Sequence, residues 1–321
     1  MELDVTANKP VPSLRGERRR KEWGAHAALL VFCFFTLAPF LFVLNNSFRS
    51  TVEQQRAFFG LPSAFVNMWS KEPVEVLDEN LQRTLIPAEQ CFSYFLNEAT
   101  RGYQLAREVL HDYLLNTLEV CLSVALGVVI MGSVVAYLLA RYRFPGSRFV
   151  YYYIIATMMF PAVLMLVPSY MVVRELGLLN SFWALFLPYL AGGQVFAIFV
   201  FKGFFDGLPE ELFESARLDG AGHFNLYTRI VLPLSKPVVS VVAIMTILGA
   251  WNNFMWPFVT NTDGSFHVIS SGLFVMTRTP VAQNMGTLYA AYILSSLPLL
   301  LLFIAATKPF IQGITSGAFK A

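Results

Sequence analysis

Apolar residues in this chain fall in long unbroken runs rather than in the alternations of a soluble sheet or the spaced stripes of a soluble helix. Six runs stand out, near Ala25–Leu44, Val120–Ala140, Phe149–Val172, Phe182–Phe201, Val238–Val259 and Gly286–Ala306. Each has about 20 residues, the length a helix needs to cross a hydrocarbon layer ~30 Å thick. Backbone N–H and C=O groups in lipid have no water to bond, so each run predicts a helix. Prolines lie inside several runs, at Pro39, Pro161, Pro168, Pro188, Pro257 and Pro298. Each removes a ladder hydrogen bond, so kinks or local loosening are expected there. The longest polar interval, Arg49–Asn116, separates the first two runs. Inside it, Leu105, Val109, Leu110 and Leu114 recur at helical spacing and predict a helix over 97–115, part of a small cap.

The expected fold is an all-α polytopic membrane protein with six transmembrane helices. Its parts are a basic tail at 1–24, a first transmembrane helix at 25–46, an external loop or cap at 47–115, a five-helix core at 116–308 and a C-terminal tail at 309–321. Loop charge orients it. Lys9, Arg15, Arg18, Arg19, Arg20 and Lys21 precede the first run; Arg141, Arg143 and Arg148 join the second to the third; Lys202, Arg217, Arg229 and Lys236 join the fourth to the fifth. The third-to-fourth and fifth-to-sixth loops hold only Arg174 and Arg278. Cytoplasmic loops carry the positive excess, so both termini are expected inside and the long interval outside. The first run is too long for a signal peptide and no small-residue cleavage site follows it.

Composition agrees with this reading. Of 321 residues 56% are hydrophobic and 14% charged, against ~25% charged in an average soluble domain. The net charge of +2 is too small to suggest a nucleic-acid partner. Cys33, Cys91 and Cys121 suggest neither a disulfide framework nor a metal site. The four histidines share no ligand spacing, and neither a phosphate-binding GxxxxGK[ST] loop nor a GxSxG elbow occurs. The runs contain no central acid, which weakens a proton-coupled carrier or an ion channel as the reading.

Uncharged polar residues remain inside the runs. WNNFMWP at 251–257 places Asn252 and Asn253 between Trp251 and Trp256. Amides and flat rings together suit sugar hydroxyls and apolar sugar faces; they also suit interhelical packing or gating, and both readings stay open. Tyr189 and Gln194 flank the glycine pair Gly192–Gly193, which permits close helix approach or a bend. Tyr289 and Tyr292 share a helical face, a spacing more typical of packing.

Between the fourth and fifth runs the chain reads LPEELFESARLDGAG at 208–222, with IVLP at 230–233. Pro209 suits a first helical position, and Glu210 and Glu211 suit the positive end of a helix dipole. Asp219-Gly220 is a stop signal, because glycine enters the left-handed region freely. The result is a helix of two to three turns, with a second helical piece over 223–230 ended by Pro233. A helix this short is marginal alone and needs contacts with the rest of the chain or with a partner. Its acids argue against an anionic lipid surface.

Glu214-Ser215-Ala216, then Gly220, Ile230 and Leu232-Pro233, resembles the EAA loop of bacterial ABC-importer permeases, with serine for alanine at the second position. ARYRFPGSR at 140–148, LGLLNS at 176–181, WNNFMWP and the ending QGITSGAFKA are similar to the smaller permease subunit of maltose-type carbohydrate importers. The resemblance spans about 25–46 and 116–321, and the outer loop is longer than that subunit type usually has. It implies a multi-pass protein of the bacterial inner membrane and half of a two-permease pore. The implied partners are a second permease subunit, two cytoplasmic ATPase subunits that bind the ATP and magnesium, and an external sugar-binding protein. It makes the short helix within 206–236 a coupling helix, with Glu214, Ser215, Ala216, Arg217, Asp219, Gly220, Ile230, Leu232 and Pro233 as its residues. It also places Gln312, Gly313, Ser316 and Gly317 where a tail reaches the ATPase. A permease for a polyol or glycerol phosphate, or a stand-alone carrier or channel, is the alternative.

Overall fold

The computed structural model describes residues 14–70, 73–77, 83–142, 144–279 and 284–318. The chain forms two compact units, Met1–Ala99 and Thr100–Ala321.

In the first unit, α1 (Leu14–Asn46) is apolar from Trp23 onward, and its side chains from Trp23 to Leu41 are almost all exposed, burial beginning only at its end with Asn46. A helix apolar on every side and uncovered by protein is suited to lipid. Beyond it come α2 (Thr51–Arg56) and α3 (Ser63–Ser70). The turn between α1 and α2 is built around the buried Arg49. Its guanidinium donates to Asn46 Oδ1 (2.9 Å) and to the carbonyls of Phe58 (3.1 Å), Glu53 (2.7 Å) and Ala57 (2.5 Å). Ser50 and Glu53 then close a reciprocal capping box that starts α2. An antiparallel pair, β1 (Val74–Leu77) with β2 (Arg83–Ile86), runs in register from Val74 opposite Ile86 to Leu77 opposite Arg83. The all-α expectation is thus corrected to a mostly helical chain with one small hairpin.

Next comes α4 (Cys91–Arg141), 51 residues without a break. The helix predicted over 97–115 is therefore continuous with the second apolar run. No proline interrupts the polar stretch Asn116–Glu119 between them, and its capping-type residues do not stop a helix that packing continues. The third run is not one straight helix. α5 (Ser147–Ala156) and α6 (Leu166–Glu175) belong to arms that meet at 93° around Phe160–Pro161. Phe160 is extended (φ −81°, ψ 124°), as a residue before proline is driven to be.

Then α7 (Phe182–Asp206) leads to α8 (Glu211–Leu218). α9 (His223–Leu226), a π-turn at Tyr227–Val231 and α10 (Leu232–Leu234) follow. Pro233 does not end this piece. It sits in the first turn of α10, where its missing N–H is not needed, and the 76° bend into α11 (Lys236–Asn252) comes at Ser235. The fifth run breaks as well: α11 stops at an extended Asn253, and α12 (Met255–Thr260) resumes. Last come α13 (Ile269–Met276) and α14 (Met285–Ala318). The residues expected as a C-terminal tail thus continue a helix as far as Ala318. Among the described residues, four helices are long and apolar enough to cross a membrane, or up to six if each bent pair is one span.

The main core of the second unit joins α4, α7, α8 and α11, with Phe201, Phe205 and Phe213 fully buried. Glycines let α4 and α7 pack closely. A Cβ on Gly132 would come within 2.7 Å of Ala197 Cβ, and one on Gly193 within 2.7 Å of Val128. Gly193 therefore serves close approach, whereas Gly192 has open space around it.

Candidate coupling site

The eight residues of α8 carry Glu211 and Glu214 in the first turn and Arg217 in the last, matching the helix dipole at both ends. Glu210 is the N-cap, so the helix starts just after Pro209 rather than on it. Its stop is a Schellman motif. Ala221 N donates to Ala216 O (2.9 Å) and Gly220 N to Arg217 O (3.0 Å), with Gly220 at φ +80°. A Cβ on Gly220 would meet nothing within 4 Å, so glycine is required for its backbone angle and not for space.

One side of α8 is anchored. Phe213 is fully buried and Ala216 is half-buried against the core. The other side is free: Glu214, Ser215, Arg217, Asp219 and Gly220 are exposed, and Leu218 is 90% exposed. Leu218 follows Phe213 by five residues, which turns it well off the buried stripe at 100° per residue. Phe224, just past the stop, is 78% exposed. Ile230 and Leu232 are half-buried beneath the loop, and Pro233 is exposed.

α8 and the piece that follows it are held by one stripe of α4, Ser133, Tyr137 and Arg141, at i, i+4 and i+8. Ser133 Oγ lies 2.7 Å from Tyr227 Oη, and Tyr137 Oη 3.2 Å from His223 Nδ1. Arg141 Nη1 donates to Glu210 Oε2 at 2.5 Å, while Nη2 donates to the carbonyls of Phe205 (2.6 Å) and Leu208 (2.8 Å). Its guanidinium also lies 4.0 Å from the centroid of the Phe213 ring. A single side chain thus caps the end of α7, pairs with the N-cap of α8 and covers its anchor. The other oxygen of Glu210 faces Arg217 at 3.5 Å, a more exposed contact of lesser worth.

Sequence reasoning read Arg141 for its charge alone and passed over Leu218, Phe224 and Phe213. Only Leu218 left a local signal, as a large apolar residue off the buried face. The partners of Arg141 lie 64 to 69 residues away, beyond any local pattern.

The candidate pore residues have different surroundings. Trp251 and Trp256 are buried, and Trp256 Nε1 donates to Ala184 O on α7 at 2.9 Å. Asn253, half-buried at the break, accepts from Trp256 N through Oδ1 (3.2 Å) and from Ser270 Oγ through its carbonyl (2.7 Å). Asn252 is exposed, with Nδ2 donating to Leu248 O at 2.9 Å. Tyr189 Oη and Gln194 Nε2 are buried polar atoms with no hydrogen-bond partner among the described residues. Gln312, Gly313, Ser316 and Gly317 lie on the last turns of α14, and their side chains fall outside the described residues.

At the other end of α7, Asn180 holds the loop that follows α12. It adopts φ 59°, a left-handed angle that asparagine tolerates. Its Oδ1 accepts from Thr262 N (2.7 Å) and Asp263 N (3.3 Å), its N donates to Thr260 O (2.9 Å), and its carbonyl accepts from Ser265 Oγ (2.9 Å). Asn261 Nδ2 bonds the carbonyls of Ser181 (3.3 Å) and Phe266 (3.0 Å). Hydrogen bonds from Ser265 hold the Asp263 carboxyl below its ordinary pKa. Burial lowers that of His267, opposed by the Asp263 charge.

Long apolar helices and a short exposed helix on a polar mount define a membrane protein with one helix face left free of the rest of the chain. Its family is narrower: residues 129–316 match the family described as "Binding-protein-dependent transport system inner membrane component", and the chain belongs to it. It is thus a multi-pass protein of the bacterial inner membrane, the permease component of a transport system. A diacetylchitobiose uptake system permease protein of Streptomyces coelicolor is 30% identical over 302 residues, covering 92% of this chain and 88% of the relative. An sn-glycerol-3-phosphate transport system permease protein of Yersinia pestis is 32% identical over 205 residues, 64% of this chain and 72% of the relative. Among solved structures, a bacterial ABC transporter involved in the import of the acidic polysaccharide alginate shares the fold, with a TM-score of 0.68, 19% identity, and coverage of 94% of this chain and 100% of the other.

Proposed function

We propose that this chain is a permease subunit of an ATP-driven carbohydrate importer, forming half of the pore with a second permease subunit. Two cytoplasmic ATPase subunits bind the ATP and magnesium, and this chain hydrolyses nothing itself. A binding protein delivers the sugar from outside. α8 is the coupling helix. Its exposed face, Leu218 with Glu214, Ser215, Arg217 and Asp219, seats in a cleft of the ATPase. Closure of the ATPases displaces α8, and the pore turns from inward-facing to outward-facing. The last turns of α14, with Gln312, Gly313, Ser316 and Gly317, reach the same partner.

The observation that carries this reading is the mount of α8: one face free, the other held through Phe213 and Arg141 to the ends of α4 and α7. A push on the free face moves both long helices together, because the contacts that would let the helix slip are charge-assisted or fully buried. Asn252, Asn253, Tyr189 and Gln194 remain the polar groups proposed to face the pathway. Trp251 and Trp256 are proposed with them as aromatic surface for the same pathway.

Sugar is favoured by a relative matched over 92% of this chain, a diacetylchitobiose permease. The glycerol-phosphate relative keeps that second solute class in view. The deciding experiment is ATPase activity of the assembled importer with its binding protein, measured across sugars and glycerol 3-phosphate. Stimulation by a sugar supports the reading. Uptake that persists without any ATPase subunit, or that follows a proton gradient, contradicts it.

A further inference from the structure

A cavity of about 590 Å³ opens between α6, α12 and α13. That is within the ~300–1,000 Å³ range of small-molecule sites. Its walls are largely apolar and include the rings of Tyr170, Phe258 and Phe274, with Thr262, His267 and Arg278 as polar members. It lies beside the N-terminal end of α7, since the Asn180 and Asn261 bonds tie its loop there. The coupling helix follows the C-terminal end. The 25 residues of α7 separate the two by roughly 37 Å at 1.5 Å per residue, about the thickness of a membrane core. With α8 in the cytoplasm, the cavity is on the outer side.

One of its polar groups is buried without a hydrogen-bond partner, and a second is an exposed cation over an aromatic ring. His267 is 6% exposed, yet its Nδ1 has no hydrogen bond among the described residues. Its backbone is held, the His267 carbonyl accepting from Asn116 Nδ2 at 2.9 Å, and its ring packs edge-on against Tyr113, with centroids 5.8 Å apart. A buried polar atom left without a partner is costly, so the site is suited to a ligand that supplies one. The Arg278 guanidinium lies 4.6 Å from the centroid of the Phe274 ring, and among the described residues no carboxylate forms an ion pair with it. A planar fork of donors held over an aromatic ring can bond vicinal hydroxyls or an acidic substituent.

We infer that this cavity is a saccharide subsite on the outer side of the permease, in which a sugar ring lies against the aromatic wall while its oxygens bond His267 and Arg278. Rings beside a few fixed polar groups match the two surfaces of a sugar, apolar faces and a polar rim. The loop bonds from Asn180 and Asn261 preform the site, so little ordering opposes binding. This inference rests on the carbohydrate reading given above.

The test uses the complete importer with both permeases, the ATPases and the binding protein, in nanodiscs. Thr262→Cys is introduced in a Cys33→Ser background, and its labelling by a charged maleimide is timed with maltose, diacetylchitobiose or digalacturonate, each at saturation. Slower labelling with one of these sugars, but not with glycerol 3-phosphate, is the expected result. In parallel, His267→Ala should raise the sugar KM for uptake about tenfold, the effect of one lost buried hydrogen bond, and Arg278→Ala, whose side chain is exposed, by less. Co-purification of each variant with the ATPases and the second permease in the parent's ratio shows that the complex still assembles. Labelling unaffected by every sugar, with unchanged KM in both variants, overturns the subsite. So does protection by the second permease subunit alone, which would make the cavity a subunit contact. If no sugar stimulates the parent importer, the carbohydrate reading itself fails and the subsite fails with it.

Discussion

The two ends of α7 are held in different ways. At its C-terminal end one arginine, Arg141, bonds two carbonyls and a carboxylate and stacks on a ring. At its N-terminal end a neutral network around Asn180 and Asn261 pins a loop through several amide and hydroxyl bonds. The first fastening concentrates everything in one side chain and leaves a helix face free. The second distributes its bonds and shapes a cavity. A part that must transmit a push gains from being tied to two long helices at once, and a part that must fit a ligand gains from being preformed.

The largest effect expected at the coupling end comes from Gly220→Pro. Proline fixes φ near −65° and has no N–H, so neither the +80° angle nor the bond to Arg217 O survives. Uptake into vesicles should be abolished while the amount of protein in the membrane is unchanged. Arg141→Ala comes next. It strips the partners from two carbonyls and from Glu210, a loss of about 2–3 kcal/mol for a charge-assisted set, seen as earlier thermal unfolding. ATP hydrolysis should then run with much less uptake per turnover. Arg141→Lys should recover little of this, because an ammonium cannot serve two carbonyls and a carboxylate while stacking on Phe213.

At the opposite end, Asn180→Ala should cost about 1–3 kcal/mol, since it removes the acceptor for two loop N–H groups and places alanine at a positive φ. Asn180→Gly keeps the angle and should cost less. Neither should weaken attachment of the ATPases, whereas Arg141→Ala should; equal effects on attachment would erase the contrast between the two ends. The smallest effect is that of pH. Burial lowers the pKa of His267 below its ordinary value of 6.5. The unfolded chain therefore takes up the proton first, and stability falls as pH drops through 6.5 toward the lower folded value. Thermal unfolding followed from pH 7.5 downward should show this slope in the parent and a reduced slope in His267→Gln.

Much of this architecture was legible in the residue pattern. The apolar runs, the short helix and its glycine stop follow from local chemistry, and the structure places Gly220 at the left-handed angle its position implied. The breaks were legible only as prolines. Pro161 does disrupt its run, but Pro39 and Pro188 lie inside continuous helices, because neighbouring turns can absorb a lost bond. The junction of the cap helix with the second run escaped notice because polarity was read as an ending. The mount of α8 was illegible in principle. Arg141 meets Glu210, Phe205 and Leu208 only once two long helices have packed through Gly132 and Gly193, and no window along the chain contains both partners. Asn180 is a similar case, a residue whose partners in the loop lie 80 or more positions away.

The central claim is that the free face of α8 seats in a separate ATPase. A photo-crosslinking amino acid at position 218, 90% exposed in this chain, tests it in the assembled importer. The account predicts a crosslink from position 218 to the ATPase subunit, with an intensity that changes when ATP is added. A crosslink to lipid alone, or none to the ATPase in a complex that still transports, would contradict it.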